Sequence, residues 1–172
     1  MRCQGAFVDV RGVGVLLLGP SGSGKSECAL ELVQRGHRLV ADDVVVLECT
    51  PAGEVVGRAL NRIRDHVEIR GLGILSIREL YGPEAVAEQA RVDLVCHLDP
   101  PGRGREYERV GLDRPSERIA GVELPSLTLP ARPGGNVATV VEVAARDHRL
   151  RADGVNAAAR LDASLREEMD RS

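Results

Sequence analysis

The segment "GPSGSGKS", Gly19 to Ser26, has the residue types and spacing of a phosphate-binding loop. It satisfies the pattern G-x-x-x-x-G-K-[ST] and lies between an apolar run and a predicted helix. In such a loop, backbone N–H groups and the helix N-terminus surround phosphate oxygens, the lysine reaches the terminal phosphates and the serine hydroxyl binds Mg²⁺. The predicted phosphate-binding residues are Gly19, Pro20, Ser21, Gly22, Ser23, Gly24, Lys25 and Ser26.

Lys25 is the only lysine among the 23 lysine and arginine residues of the chain. A compact ammonium on a flexible stem and a planar guanidinium are not equivalent inside a tight loop. Retention of a lysine at this one position predicts that Lys25 has a chemical role.

Two adjacent carboxylates, Asp42 and Asp43, lie within "LVADDVVVL", which reads as one buried apolar strand from Leu39 to Leu47. They follow Ser26 after one helix and one strand, so the end of that strand is expected beside the loop. Burial of an unpaired carboxylate is costly, which favours a cation or a shared proton there. Two interpretations stay open. Either one carboxylate exchanges a proton while the other supports Mg²⁺ or orients its neighbour, or a single metal-supporting aspartate has a solvated neighbour.

A third carboxylate, Glu68, lies in "HVEIRGLG" on the same predicted strand face as Arg70. This pair could contact Mg²⁺ and phosphate. From spacing alone, a solvated Glu–Arg strand face explains the pattern equally well.

The elements that must position these residues begin with a βαβ unit. Apolar Val13 to Leu18 predicts the first strand, and a helical apolar pattern follows the loop until Gly36. A turn from Pro51 to Glu54 between apolar stretches predicts a hairpin. Gly71 and Gly73 are expected to release the chain into a loop after the "HVEIRGLG" strand.

Two helices are predicted near the C-terminus. The first follows Asn136 as its N-cap, and the second runs from 156 to 170. On the second helix Leu161, Leu165 and Met169 recur every four residues, and this narrow apolar seam could contact either its own domain or a partner.

Length and composition restrict the class of protein. A chain of 172 residues with 43% hydrophobic and 2% aromatic residues suits one domain with an aliphatic core. The net charge of −3 and the lack of a basic run with aromatic residues argue against a nucleic-acid partner. No apolar run approaches the roughly 18 residues of a membrane span, so we expect no membrane partner and a cytoplasmic protein whose four cysteines are free thiols.

Taken together, the motifs resemble the HPr kinase/phosphorylase family. The resemblance runs from about Gln4 to Leu165 and rests on "GPSGSGKSE", "ALELVQRGHRLVADD", "EIRGLGIL", "YERVG" and "NVATVVEVAA". It implies an α/β fold, namely a P-loop domain of the HPr kinase / phosphoenolpyruvate carboxykinase type with a mixed sheet and flanking helices. It also implies a single catalytic domain over 1–172, with the C-terminal helix at 156–170, and a homo-oligomer that is usually a hexamer.

The resemblance also assigns roles to particular residues. It implies that Lys25 is the catalytic lysine and that Ser26 binds Mg²⁺. It makes Asp43 the general base, Glu68 the second metal-supporting carboxylate and Arg109 of "YERVG" the catalytic arginine. The implied cofactors are ATP and Mg²⁺, and the implied partner is the phosphocarrier protein HPr, which is phosphorylated on a serine.

Two departures from the family pattern bear on the reverse reaction, phosphorolysis of phosphoserine. Gln4 stands where the family has a histidine, and "PARPGGN" replaces "PVKVGRN", so Gly135 removes an arginine. Glutamine cannot carry a charge or a proton. Kinase activity is therefore favoured over phosphorolysis. Two alternatives stay open: a nucleotide-sensing regulatory domain with little catalysis, and a small-molecule kinase on the same scaffold.

Overall fold

A computed structural model describes residues 1–102 and 104–171. The strands are β1 Arg2–Gln4, β2 Ala6–Val10, β3 Val13–Leu18, β4 Arg38–Ala41, β5 Val44–Cys49, β6 Val55–Ala59, β7 His66–Ile69, β8 Gly73–Ser76, β9 Gln89–Arg91, β10 Leu94–Asp99, β11 Ser116–Ile119 and β12 Val122–Pro130. The α-helices are α1 Lys25–Gln34, α2 Ile77–Tyr81, α3 Val137–Ala152 and α4 Ala157–Asp170, and single 3₁₀ turns lie at Asn61–Ile63 and Pro83–Ala85.

The central element is a six-stranded mixed sheet with the order β11-β12-β10-β3-β2-β4. Strands β3, β10 and β12 are mutually parallel, and β2 is antiparallel to both β3 and β4. Strands β3 and β4 are therefore parallel to each other and joined through α1, which confirms the predicted βαβ unit with β2 inserted between its strands. The carboxyl ends of β3, β4, β10 and β12 lie along one edge of the sheet, where ligands bind in open α/β folds.

Both faces of the six-stranded sheet are covered, giving three layers. On one face Val8, Val15 and Leu17 join a core with α1 and α3. On the other face Phe7 and Leu16 join a second core with the antiparallel sheet β1-β5-β6-β9. Burial of both faces explains the aliphatic composition, and the predicted mixed sheet with flanking helices is confirmed.

The predicted single strand from Leu39 to Leu47 is wrong. Strand β4 ends at Ala41 in the six-stranded sheet and β5 begins at Val44 in the four-stranded sheet. At the break Asp43 has a φ of 67°, and the N–H of Val44 donates to the carbonyl of Asp42 at 2.9 Å. This i to i+2 bond with positive φ has the character of a γ-turn. Apolar residues continue on both sides because each strand is buried, so hydropathy alone conceals the change of sheet.

Two further expectations about strands need correction. Strand β3 is not the first, because β1 and β2 precede it. The chain after Ile69 does not open into a loop but turns tightly into β8, with Ile69 paired to Gly73 and the N–H of Leu72 donating to the Ile69 carbonyl at 3.0 Å. The glycines that suggested a loop have φ near 90° and allow this turn. The hairpin predicted around Pro51 to Glu54 is confirmed as β5-β6.

The two C-terminal helices differ in burial. Helix α3 buries Ala138, Val141, Ala144 and Ala145. Helix α4 is capped by the side chain of Asn156, which accepts from the N–H of Ala159, and it buries none of its described residues. The seam of Leu161, Leu165 and Met169 is 62, 51 and 77% exposed. Among the described residues, no helix has the length and apolar character that a membrane span requires.

Candidate active site

The phosphate-binding loop connects the end of β3 to the start of α1. Gly24 is the N-cap of α1 with a φ of 87°, a conformation that glycine adopts without steric cost. A side chain at Gly19 would meet the carbonyl oxygen of Leu98 at 2.6 Å, so only glycine lets the loop pack against the end of β10. The first N–H groups of a helix lack intrahelical partners. This end of α1 can therefore accept an anion.

Lys25 lies over the loop rather than pointing away from it. Its ammonium donates to the carbonyl oxygens of Gly19 at 2.8 Å and Pro20 at 3.0 Å. A compact ammonium can turn its donors to a phosphate within the same loop, whereas a planar guanidinium needs more room. The chemical role of this lysine stays a prediction.

Asp42 is buried against the first turn of α1. It is 4% exposed, and both of its carboxylate oxygens lie 2.9 Å from the Ser26 hydroxyl, which donates to them. The N–H of Glu68 approaches the same carboxylate at 3.4 Å. Burial raises the pKa of Asp42, and the hydrogen bonds from Ser26 and from the Glu68 backbone oppose that rise. A divalent cation at Ser26 would compensate the charge of this carboxylate.

Asp43 is exposed, in contrast to its neighbour. Its carbonyl oxygen accepts from the N–H of Gly5 at 3.0 Å, and Gln4 pairs with Val44 in the adjoining strands. The turn at Asp43 thus leaves the Asp42 side chain buried and Asp43 exposed, and it places Gln4 next to Asp43. A non-glycine residue in this backbone region is held there by its surroundings, a form of strain that is common at functional sites.

These residues surround a cleft of about 210 Å³. It is lined by the loop residues Ser21, Gly22, Gly24, Lys25 and Ser26, and by Glu27, Asp42, Asp43, Glu68 and Arg70. Four carboxylates and two basic side chains give the cleft a formal charge of −2 (2 − 4 = −2). A negative cleft beside a phosphate-binding loop favours a divalent cation together with the phosphates.

The described residues contain no group of three or more His, Cys, Asp or Glu side chains arranged to hold a metal ion by themselves. The Ser26 hydroxyl and the nearby carboxylates of Asp42 and Glu68 still suit Mg²⁺, which binds proteins through few direct ligands. The remaining positions are usually filled by water and phosphate oxygens.

The structure brings together four of the five residues to which the family resemblance assigns a catalytic or metal-binding role: Lys25, Ser26, Asp43 and Glu68. Arg109 is not among the residues that line the cleft. It lies on a segment whose Tyr107 hydroxyl donates to Asp99 at 3.0 Å and whose Gly111 carbonyl accepts from Arg151 near the end of α3. Its catalytic role stays a prediction.

Three further residues line the cleft: Asp42 and Arg70, which the sequence indicated without fixing a role, and Glu27, which it did not indicate. The Asp42 contact with Ser26 depends on a fold that returns β4 to the loop, and only the spacing of 16 residues pointed to it. The guanidinium nitrogens of Arg70 lie 3.8 Å from the position that a Cβ of Gly22 would occupy. Glu27 lines the cleft from the first turn of α1.

Comparison with known proteins gives a consistent result. The family model "HPr Serine kinase C-terminal domain" matches residues 1–165. The HPr kinase/phosphorylase of Geobacter sulfurreducens is 47% identical over 167 residues, which cover 97% of this chain and 52% of that protein. The HPr kinase/phosphorylase of Caldicellulosiruptor bescii is 48% identical over 168 residues, which cover 98% of this chain and 54% of that protein. The chain thus spans about half the length of the curated relatives it matches.

A solved structure supports the same relationship. The Hpr(Ser) kinase/phosphatase from Coxiella burnetii superposes with a TM-score of 0.81 at 30% identity, covering 96% of this chain and 97% of that one. From the family match over residues 1–165 and this shared fold, we conclude that the chain belongs to the HPr serine kinase C-terminal domain family.

Proposed function

We propose that this chain is an ATP-dependent, Mg²⁺-requiring kinase that phosphorylates a serine of the phosphocarrier protein HPr. The observation that carries the proposal is the meeting of the phosphate-binding loop with Asp42, Asp43 and Glu68 in one cleft. The names and the sequence identity of the relatives support HPr as the protein substrate.

In this proposal each residue of the cleft has a separate role. Asp43 is exposed to an incoming substrate and accepts the proton of the serine hydroxyl as that oxygen attacks the γ-phosphate. Lys25 and the N–H groups at the start of α1 hold the phosphates in line with the attacking oxygen. Ser26, oriented by Asp42, and Glu68 would hold Mg²⁺, which neutralises charge on the β- and γ-phosphate oxygens.

By resemblance to the family, Arg109 is the last of the proposed catalytic residues, and its positive charge stabilises the transferred phosphoryl group. Because one chain does not bring it into the cleft, Arg109 must reach the site by movement of its segment or by assembly with another copy. We propose a homo-oligomer, and the exposed seam of Leu161, Leu165 and Met169 on α4 is consistent with a surface for HPr or for a second subunit.

The chain is proposed to be biased toward the kinase direction. Gln4 lies next to Asp43, where it can donate a hydrogen bond but cannot supply the charge or proton of a histidine. Gly135 lines a different cleft, on the far side of the loop, and a side chain there would meet the carbonyl oxygen of Arg132 at 2.8 Å. Gln4→His is therefore the more direct test. It should raise the ratio of phosphorolysis to kinase rate, measured as pyrophosphate release from phosphoserine-HPr against ATP-dependent phosphorylation.

A cytoplasmic location is part of the proposal. All four cysteines are free thiols, and burial raises the pKa of both Cys28 and Cys96 to about 12. Free thiols are usual in a reducing compartment.

An assay with γ-labelled ATP, with and without HPr, tests the function. Labelled HPr supports the proposed kinase. ATP binding without transfer to HPr would favour the nucleotide-sensing regulator, and transfer to a small metabolite in place of HPr would favour the small-molecule kinase. Wild-type transfer to HPr by Lys25→Ala would contradict the assigned site.

A further inference from the structure

Asp99 is a buried carboxylate at the carboxyl end of β10 that has no part in the proposed mechanism so far. It is 5% exposed. The carbonyl oxygen of the preceding residue, Leu98, lies where it would meet a side chain at Gly19 of the phosphate-binding loop. The carbonyl of Asp99 accepts from the N–H of Ala131 at 2.8 Å. Because a buried carboxylate is costly unless it is hydrogen-bonded or paired, the side chains that contact Asp99 indicate what it is for.

Two side chains that contact Asp99 come from the segment that carries Arg109. The Tyr107 hydroxyl donates to its Oδ2 at 3.0 Å, and Nε of Arg105 lies 3.8 Å from the same oxygen. Burial, together with the hydrogen bond to Asp99, raises the pKa of Tyr107, so its hydroxyl stays protonated and remains a donor at neutral pH. Arg105 is about half exposed, which makes its ion pair weak. Tyr107 is therefore the main link between Asp99 and this segment.

The segment is fixed again directly after Arg109. The N–H groups of Val110 and Gly111 both donate to Oε1 of Glu108, at 2.7 and 2.9 Å, which closes a tight turn around Arg109. The Gly111 carbonyl accepts from Nη2 of Arg151 on α3 at 2.6 Å. Arg109 thus lies in a turn that is tied to the end of β10 on one side and to α3 on the other.

This arrangement accounts for the residues of the motif "YERVG". Tyr107 ties the turn to β10, Glu108 closes it, and Gly111 has the positive φ of 70° that the turn requires. The Arg109 side chain is exposed and, among the described residues, pairs with no carboxylate. Fixing the backbone on both sides restricts the positions that this free cation can reach and reduces the entropy lost when it contacts a phosphoryl group.

We propose that Asp99 is a positioning residue for phosphoryl transfer, which acts through Tyr107 to hold the Arg109 turn at the loop end of β10. This inference rests on the proposed kinase function and adds the residue that places its arginine. Without the Tyr107 hydroxyl the turn is held mainly from α3, and Arg109 is within reach of the transferred group for less of the time. The loss should appear in the rate of transfer and not in ATP binding, because neither Asp99 nor Tyr107 lines the cleft around Lys25.

Steady-state phosphorylation of HPr by the full chain tests the proposal with Tyr107→Phe, which removes only the hydroxyl. We expect kcat to fall about tenfold, the weight of one hydrogen bond to a charged group. The KM for ATP should stay within about twofold of wild type. Tyr81→Phe is the matched control, since the exposed Tyr81 hydroxyl accepts only a surface contact from Gln34 at 3.2 Å, and it should change kcat by less than about twofold.

A double-mutant cycle with Arg109→Ala separates positioning from a general structural role. If Tyr107 acts through Arg109, Tyr107→Phe should lower kcat no further in the Arg109→Ala chain. Asp99→Ala removes the acceptor of the same hydrogen bond, so it should reproduce the loss seen in Tyr107→Phe and should also have no further effect once Arg109 is absent. Tyr107→Phe decides the question even if Asp99→Ala does not fold.

Four results would overturn the inference: an unchanged kcat in Tyr107→Phe, a raised kcat in Tyr107→Phe, an equal loss with and without Arg109, or wild-type kcat in Arg109→Ala. A raised kcat would mean that Asp99 holds the turn away from the site. If any of these results occurs while the wild-type chain phosphorylates HPr, only the positioning role is refuted. If the wild-type chain does not phosphorylate HPr, the proposed function itself fails.

Discussion

Substitution of Asp43 separates its proton-accepting role from its structural role. Asp43→Asn keeps the shape of the side chain but removes its ability to accept a proton. General-base catalysis typically contributes ~10²–10⁴-fold, equivalent to about 3–5 kcal/mol of transition-state stabilisation. We expect transfer to HPr to fall by this factor, while ATP binding stays within about threefold of wild type because Asp43 does not hold the loop.

The backbone at Asp43 sets the expected change in stability. Its φ of 67° lies in the left-handed region, which asparagine tolerates well and alanine does not. Because the side chain is exposed, Asp43→Asn should change the free energy of unfolding by less than about 0.5 kcal/mol. Asp43→Ala should lose about 1 kcal/mol more because it must adopt the same backbone conformation.

The assays are steady-state transfer to HPr, equilibrium binding of ATP and denaturant unfolding, all on the same preparations. Asp42→Asn is the matched control. Its effect should appear mainly as a higher Mg²⁺ concentration for half-maximal rate, because Asp42 orients Ser26. If Asp42→Asn abolishes transfer at saturating Mg²⁺ while Asp43→Asn keeps it, the roles of the two neighbours are reversed.

Three other predictions follow from the site and from α4. Lys25→Arg should fold normally but lose at least about a hundredfold in transfer, since a guanidinium does not fit the loop; activity within a few-fold of wild type would make Lys25 incidental. Truncation after Gly154 should leave the free energy of unfolding and ATP binding nearly unchanged, because α4 buries none of its described residues. It should nevertheless reduce HPr phosphorylation. An equal loss of ATP binding and of transfer would place α4 in the core. Burial raises the pKa of Asp42 above its ordinary value, so its contribution to stability is present at low pH and is lost as pH rises through the folded-state pKa. Without Mg²⁺, Asp42→Asn should therefore be more stable than wild type at neutral pH in denaturant unfolding, and lower stability would contradict this sign.

Much of the phosphate-binding loop and of the elements beside it could be predicted from the sequence because their determinants are local. The glycines, Lys25 and Ser26 lie within eight consecutive residues, and the flanking strand and helix have clear hydrophobic periods. The position of Asp42 and Asp43 beside the loop followed from their spacing to Ser26 and from the rule that parallel strands end at the same edge, whereas the hydrogen bond from Ser26 to Asp42 did not.

The remaining features depend on contacts between distant segments. The break between β4 and β5 is concealed because both strands are buried, and β1, which brings Gln4 beside Asp43, has only three residues. The position of Arg70 over Gly22 depends on the tight β7-β8 turn. Arg109 shows the opposite case, since its motif is recognisable but the fold of one chain does not bring it to the cleft.

The central claim is that this chain transfers the γ-phosphoryl group of ATP to a serine of HPr, using the cleft around Lys25 and Asp43. The most direct measurement incubates the purified chain and HPr with Mg²⁺ and either γ-labelled or α-labelled ATP, followed by phosphoamino-acid analysis of HPr. We predict label on serine only from γ-labelled ATP, lost on chelation of Mg²⁺ and in Lys25→Ala. Unlabelled HPr despite saturating ATP binding, or serine labelling that persists in Lys25→Ala, would contradict it.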